Sequence, residues 1–529
     1  MKKWKLLIAA AVAVVCRLPA ADGQDIDYVR RYDARIACEN PAGMKHLPVS
    51  RISSAEAYVR KNSGKFVNYS QSDDSYAAGA NAESFFSLNP KTVFYGSAGY
   101  SNFSGRRMGG SAFIDPDRMV FDLQETVDST RGDKSLESYR LAGGVSVGVS
   151  SRLTLGGKID YCAADYAKSL DLRHSNRLFD LSVSAGASYA VFDFLEIGVN
   201  YLYRRRVEGV QFKMYGTTDR RYVSLVSYGL FYGRAEQFGD SGYTDPDHQN
   251  PAVDEWNGGS LQIAFGAGDR AAFFGELSYH VRSGYYGKRS PSTPVFIEHR
   301  APSTAYRAGV SLRCGDVHHI LMAGFGRESL KNHENVYRFE HAADGHDDIV
   351  YLGNNQVFSR TSTQAGFDYT ANLGVRNFCP AWVVGASANY RSRRQTVSLY
   401  PYRRRQNIGY GSFRILATRN IAVRQSQYSV SAGILYGAGS GTPKTDDVYA
   451  PPAETQRPPR NNDVLLFREY EYLTAKRAGG SLELKMRRTF VNGLDLYGKI
   501  NYEFTKAFNV EYLGGSTASC AILTVGAGF

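Results

Sequence analysis

Apolar and polar side chains alternate with a period of two along much of the chain. In LEIGVNYLY, Leu195, Ile197, Val199, Tyr201 and Tyr203 fall on one side, and Glu196, Gly198 and Asn200 on the other. AAFFGELSYHVR repeats the pattern, setting Phe273, Leu277, Tyr279 and Val281 against Glu276, Ser278, His280 and Arg282. LDLYGKINYEF does so again, with Leu494, Leu496, Ile500, Tyr502 and Phe504 opposite Asp495, Lys499, Asn501 and Glu503. Successive side chains of a strand point to opposite faces, so each segment reads as a strand with one apolar and one polar or charged face.

The connections between these strands alternate too. Tight turns are predicted at Phe192–Phe194, Gly268–Arg270, Cys314–Asp316, Asn377–Pro380, Thr418–Asn420 and Asn492–Gly493. Between them lie long polar stretches such as 106–138, 240–257, 332–357 and 438–466. Short turns on one side and long loops on the other mark a bacterial outer-membrane barrel. A soluble sandwich would bury each apolar face against a second sheet. A closed barrel instead turns that face to lipid and the charged face to a lumen, and leaves no strand edge unpaired.

Seven hairpins between 139 and 507, with 92–104 before them and 519–529 after, predict an all-β, transmembrane antiparallel barrel of about sixteen strands, within a range of fourteen to eighteen. Segment 221–237 either adds a hairpin or rises above the membrane. Residues 24–91 hold short strand candidates that belong either to the wall or to an element inside the lumen, leaving 92–529 as the barrel proper.

The first residues, MKKWKLLIAAAVAVVCRLPAADG, combine a basic start, a short apolar run and small residues at Ala21 and Gly23. They predict a signal peptide over 1–23 and hence export. No apolar run of about 18 residues follows, so no transmembrane helix is expected. Tyr outnumbers Trp by 37 to 3, and Gly reaches 53, a balance that favours strands with wet interfaces over a helical core. Beyond the predicted cleavage site, Cys38, Cys162, Cys314, Cys379 and Cys520 are too scattered for a disulfide framework.

At the other end, Ala521, Leu523, Val525, Ala527 and Phe529 share a face. A terminal aromatic after alternating apolar residues resembles the C-terminal signal by which outer-membrane barrels are recognised for insertion. The barrel-assembly machinery is therefore an expected partner, with Phe529 as the residue it reads. ENPAGM, at 39–44, resembles the N-terminal region of FadL-type transporters of hydrophobic compounds and of related Bacteroidota outer-membrane barrels. The resemblance implies that Asn40, Pro41 and Ala42 form a gating segment inside or under the barrel. The plain alternative is an Asn-Pro turn.

The predicted lumen face carries both signs of charge, with Glu196, Glu276, His280, Arg282, Glu483, Lys485, Asp495 and Lys499 as candidate lining residues. Two arginine clusters, Arg204, Arg205 and Arg206 in YLYRRRVE and Arg403, Arg404 and Arg405 in YPYRRRQ, fall at the loop ends of strands beside tyrosines. Guanidinium groups there are candidates for bidentate contact with lipopolysaccharide phosphates, alongside the outer-membrane lipid itself. Export excludes the nucleic acid that a net charge of +12 would otherwise invite.

His333, His341, His346, Asp347 and Asp348 share one loop but match no compact metal motif, and no phosphate loop or nucleophile signature is present. No cofactor, metal or enzymatic activity is expected. The expected function is a channel or transporter for small molecules, hydrophobic ones included. The alternative is a structural, adhesion or secretion-associated barrel that works through its loops.

Overall fold

The computed structural model describes residues 25–529 apart from 126–129, 217–218, 241, 268–269, 292, 342–346 and 491–493. The predicted signal peptide at 1–23, residues 268–269 and 492–493 of two predicted turns, and His346 lie outside the described residues, as do the side chains of His341 and Asp347.

Eighteen strands form one sheet, from Arg51–Ser63 to Thr517–Gly528. Each pairs antiparallel with the next strand of the wall, and the last returns to the first in register from Ser54↔Gly528 to Ser63↔Ser519. The sheet is thus a closed antiparallel barrel with no free edge. Its outer face carries the apolar set: Val199, Leu261 and Ile500 are more than half exposed, as residues facing lipid must be.

The two strands beyond the expected sixteen are Arg51–Ser63 and Asp74–Asn89, so the wall begins at Arg51 and not at residue 92. Their alternation is weak because the outward positions opposite one another are small, such as Ala55↔Ala82 and Ala57↔Ala80. The turn expected at Thr418–Asn420 is displaced. Strand Tyr402–Val423 runs on through it and reverses at Arg424, whose φ of 56° fits a tight turn. Asn420 instead uses its side chain to donate to Pro380 O, 2.7 Å away on a neighbouring connection.

Crossing a bilayer takes about 9–11 strand residues. Strands Val317–His341 and Asp347–Leu373, of 25 and 27 residues, therefore extend well past the membrane at the long-loop end.

Two segments fill the lumen. From the short-turn end, residues 25–50 run inward as a helix, Ile26–Arg31, and two 3₁₀ turns, Ala34–Ala37 and Pro41–His46. Each begins on a side-chain cap (Asp25, Asp33 and Asn40), and Pro41 occupies the first position of the last turn. Val29 and Val49 anchor this lower stopper against Ile52 and Phe85 of the wall.

At the long-loop end, three excursions from the wall meet in a four-stranded sheet of Arg460–Asn461, Tyr232–Gln237, Val223–Ser227 and Asp122–Glu125, in that order. The helix Asp463–Thr474 follows. Phe113, Phe121, Val226, Tyr243 and Leu466 make a buried apolar core with Ile297 and Leu330 of the wall. Segment 221–237 thus belongs to a cap and not to the wall, and 106–138, expected to be polar loop, supplies part of the cap's core.

Candidate functional site

The lower stopper sits on a floor made of glycines. Asn40 Oδ1 accepts from Ala42 N at 3.0 Å, closing the turn, while its Nδ2 faces Ala187 O at 2.9 Å, Val199 O at 3.2 Å and Gln262 Oε1 at 2.9 Å. Ser146 Oγ donates to Ala42 O at 3.1 Å. A Cβ on Gly186 would stand 2.1 Å from Asn40 Oδ1, and one on Gly156 2.3 Å from Ala42 N. Bare backbone at these inward positions is what lets Asn40, Pro41 and Ala42 lie against the wall.

Glu196 gathers three basic side chains of the same segment: Arg35 at 3.1 Å, Lys45 at 3.2 Å and the His46 ring at 3.1 Å. Burial disfavours the His46 imidazolium and Arg35 adds to this, so the ring is held below its ordinary value despite Glu196. Burial works against the Asp33 carboxylate, yet its ion pair with Arg35 at 2.6 Å holds it below the ordinary range. Glu276 accepts from Glu39 N at 3.2 Å and pairs with Arg307 at 3.4 Å, and His280 approaches Glu39 at 3.4 Å.

The cap is fastened by charge at its rim. Arg404, fully buried, forks onto Asp446 at 2.6 and 2.9 Å, reaches Asp463 at 2.8 Å, and lies 4.4 Å above the Tyr232 ring. Arg393 grips Glu469 of the cap helix at 2.8 and 3.1 Å. Arg282 pairs with Asp254 at 2.7 Å and donates to Arg118 O of the cap at 2.9 Å.

Between the two stoppers lie two adjoining cavities. One of about 380 Å³ is bounded by Asp117 of the cap and lined by Glu328, Arg360 and Arg393. The other, of about 240 Å³, is bounded by Glu39 of the lower stopper. A third, of about 870 Å³, is an apolar hollow on the outer face beside Ala187, Gly275, Ala308 and Ala323.

The profile of a family of unknown function, DUF6850, matches residues 41–529. The chain belongs to that family. No curated protein matches it. Among solved structures, it is similar to the toluene transporter TodX of Pseudomonas putida, at 11% identity and a TM-score of 0.31, covering 96% of this chain and 99% of TodX. It is similar also to the ferric preacinetobactin receptor BauA of Acinetobacter baumannii, at 10% identity and 0.36, covering 90% and 80%. The outer-membrane transporter YddB of Escherichia coli aligns at 6% identity and 0.37, covering 90% and 81%.

In this DUF6850 chain, Glu483, Lys485, Asp495 and Lys499 share the inner face of adjacent strands. Asp495 bonds Arg487 and Thr489, Glu483 accepts from Asn501 at 3.4 Å, and Lys485 lies 4.8 Å from the Tyr497 ring. Phe529 ends the closing seam.

For three of the six clustered arginines the expected lipopolysaccharide contact needs correcting. Strand alternation turns Arg204, Arg206 and Arg404 inward, where they pair with Asp180 at 2.6 Å, Glu208 at 2.9 Å and Asp446 at 2.6 Å. Turned inward and ion-paired, they present nothing to a lipid phosphate. Arg205, Arg403 and Arg405 face outward but are engaged with Glu255 at 3.1 Å and Asp447 at 2.7 Å each.

Sequence reading missed the glycine floor and the arginines of the upper cavity. The floor has no local signature, because Gly156 and Gly186 matter only through a segment that docks from more than a hundred residues away. The signal for the cavity was the run Arg391, Arg393 and Arg394, whose alternation puts the first two on one face.

Proposed function

We propose that this chain is a gated outer-membrane transporter for small molecules. The observation that supports the reading is a lumen stopped at both ends by segments of the chain itself, with cavities of about 380 and 240 Å³ left between them. The lower stopper is held mainly by ion pairs and side-chain hydrogen bonds, which exchange with water at small net cost and so suit a part that moves, whereas the cap also rests on a buried apolar core. The cavity walls are charged, which supports a polar cargo over the hydrophobic one that the N-terminal resemblance implies.

The test is conductance of the purified protein in planar bilayers, beside a variant carrying Asn40→Ala and Glu196→Gln. Wild type is expected to show rare, discrete openings and the variant frequent ones. Folded barrels carrying no current in either form would overturn the reading.

A second reading, partner binding, draws on the hairpin Val317–His341 and Asp347–Leu373, which stands far beyond a membrane span and exposes Phe339, Tyr351 and Leu352. Loss of surface attachment in a cell whose copy lacks this projection, with conductance unchanged, would favour it.

A further inference from the structure

We propose that the lumen holds an oxyanion-binding station centred on Arg391, so that the cargo is a small solute bearing a carboxylate or a phosphate. This rests on the transporter reading above. The cavity under the cap and the cavity over the lower stopper share Ala305, Gly326, Gln364 and Arg391. A solute passing from one stopper to the other meets Arg391 at the junction.

Arg391 is exposed to the lumen, and its guanidinium has no ion pair or hydrogen bond among the described residues. That is unlike its neighbours. Arg360 donates to Asp117 O at 3.0 Å and reaches Glu328 only at 3.5 Å, while Arg393 is spent on Glu469. The Nε groups of Arg360 and Arg393 are buried without an acceptor. With Arg393 neutralised by Glu469, Arg360 and Arg391 face Asp117 and Glu328 in equal number, and of these two arginines Arg391 is the one with no carboxylate within ion-pair distance among the described residues.

A lumen-facing guanidinium without a carboxylate partner is the group there best placed to receive an anion. A planar guanidinium with both edges free offers two parallel N–H donors to a carboxylate or phosphate. Gln364, Glu328 and Tyr410 line the cavity beside it, so the guanidinium is the group there that selects an anionic solute.

Two measurements on the full chain, purified in detergent and reconstituted, test this. In the first, thermal unfolding is followed in acetate, inorganic phosphate and chloride at equal ionic strength. Acetate or phosphate is expected to raise the midpoint above chloride by mass action. Arg391→Gln is expected to weaken the apparent affinity at least about tenfold, with Arg391→Lys intermediate. The anion giving the larger shift distinguishes carboxylate from phosphate.

In the second, liposome swelling compares gluconate with glucose, which are alike in size and differ in charge. Faster gluconate entry that Arg391→Gln abolishes supports the station. Equal entry of both solutes, with no anion-specific shift in the midpoint, overturns the station and leaves the transporter reading standing. An anion-specific shift lost in Arg391→Gln, with neither solute entering, keeps the station and overturns transport.

Discussion

Asn40 Nδ2 lies 2.9 Å from the carbonyl oxygen of Ala187, a residue 147 positions along the chain. That contact ties the lower stopper to the wall, and it exists only because the neighbouring Gly186 has no side chain. Gly186→Ala would set a Cβ 2.1 Å from Asn40 Oδ1, so the stopper must shift. Overpacking of this kind costs about 1–3 kcal/mol, which enlarges the undocked population roughly 5- to 150-fold.

Cys38 reports the change, since its thiol donates to Arg35 O at 3.1 Å and is pushed up to about 12 by burial and the nearby Glu276 charge. With Cys38 as the sole cysteine, maleimide labelling should accelerate by that factor in Gly186→Ala. Gly157→Ala, where a Cβ meets nothing within 4 Å, should leave the rate unchanged. Equal rates in both would remove the docking role of Asn40.

The same stopper should loosen in acid. Asp33 and His46 are both held below their ordinary values when docked. A group depressed in the docked state contributes stability above its ordinary pKa and loses it as the pH falls toward the docked value. The affected window therefore opens below about 6.5 for His46 and extends down through the carboxylate range for Asp33. Arg35, Lys45 and Glu196 face these groups, and none of the three changes the sign. Openings in planar bilayers should be more frequent at pH 5 than at pH 7.5, and His46→Gln should flatten the upper part of that rise. A wild-type profile independent of pH would contradict the assignment.

The alternation of faces made the barrel legible, because a period of two persists wherever one side meets lipid and the other does not. It faded at Arg51–Ser63 and Asp74–Asn89, where alanines such as Ala55, Ala57, Ala80 and Ala82 take the outward positions and carry little contrast. The cap was harder to see. Phe113 and Phe121, Val226, and Leu466 come together in one buried core from three separate loops, and loop composition hides a core assembled from distant pieces. Asn40 was singled out by its short motif, but its partners were not, since backbone carbonyls such as Ala187 O and Val199 O leave no trace in a sequence. Arg404 misled for a related reason: a tyrosine-flanked arginine run looks like a wet rim until alternation sends every second guanidinium inward.

Arg404 makes the cap testable. Its fork holds Asp446 and Asp463 together, and lysine cannot satisfy both carboxylates in that geometry. Breaking a buried pair typically costs about 3–5 kcal/mol, and the partial exposure of the two aspartates brings the expectation to roughly 1–3 kcal/mol. Arg404→Lys and Arg404→Ala should both speed tryptic cleavage after Arg460 and Arg468, just before and within the cap helix, with alanine the more severe. Arg405→Ala, which removes an exposed partner of Asp447, should not. Unchanged cleavage in Arg404→Ala would mean that the apolar core alone secures the cap.

The seam offers a way to separate stability from assembly. Phe529 N donates to Ser53 O at 3.1 Å and Ser53 N donates to Phe529 O at 3.0 Å, the last rung between the closing strands. The Phe529 ring is itself more than half exposed, with the Arg51 guanidinium 5.5 Å from its centre, so it buries little of its own surface. Deleting Phe529 should therefore cost the finished barrel only about 1–3 kcal/mol, the net worth of two backbone hydrogen bonds, as read by urea unfolding in detergent. If the terminal aromatic is also what the assembly machinery reads, the amount of heat-modifiable barrel in the membrane of expressing cells should fall far more than that. Phe529→Ala, which keeps the rung and removes only the ring, isolates the second effect: a large loss of assembled barrel with unfolding unchanged assigns recognition to the side chain. Equal assembly of wild type and Phe529→Ala would confine the residue to closing the seam.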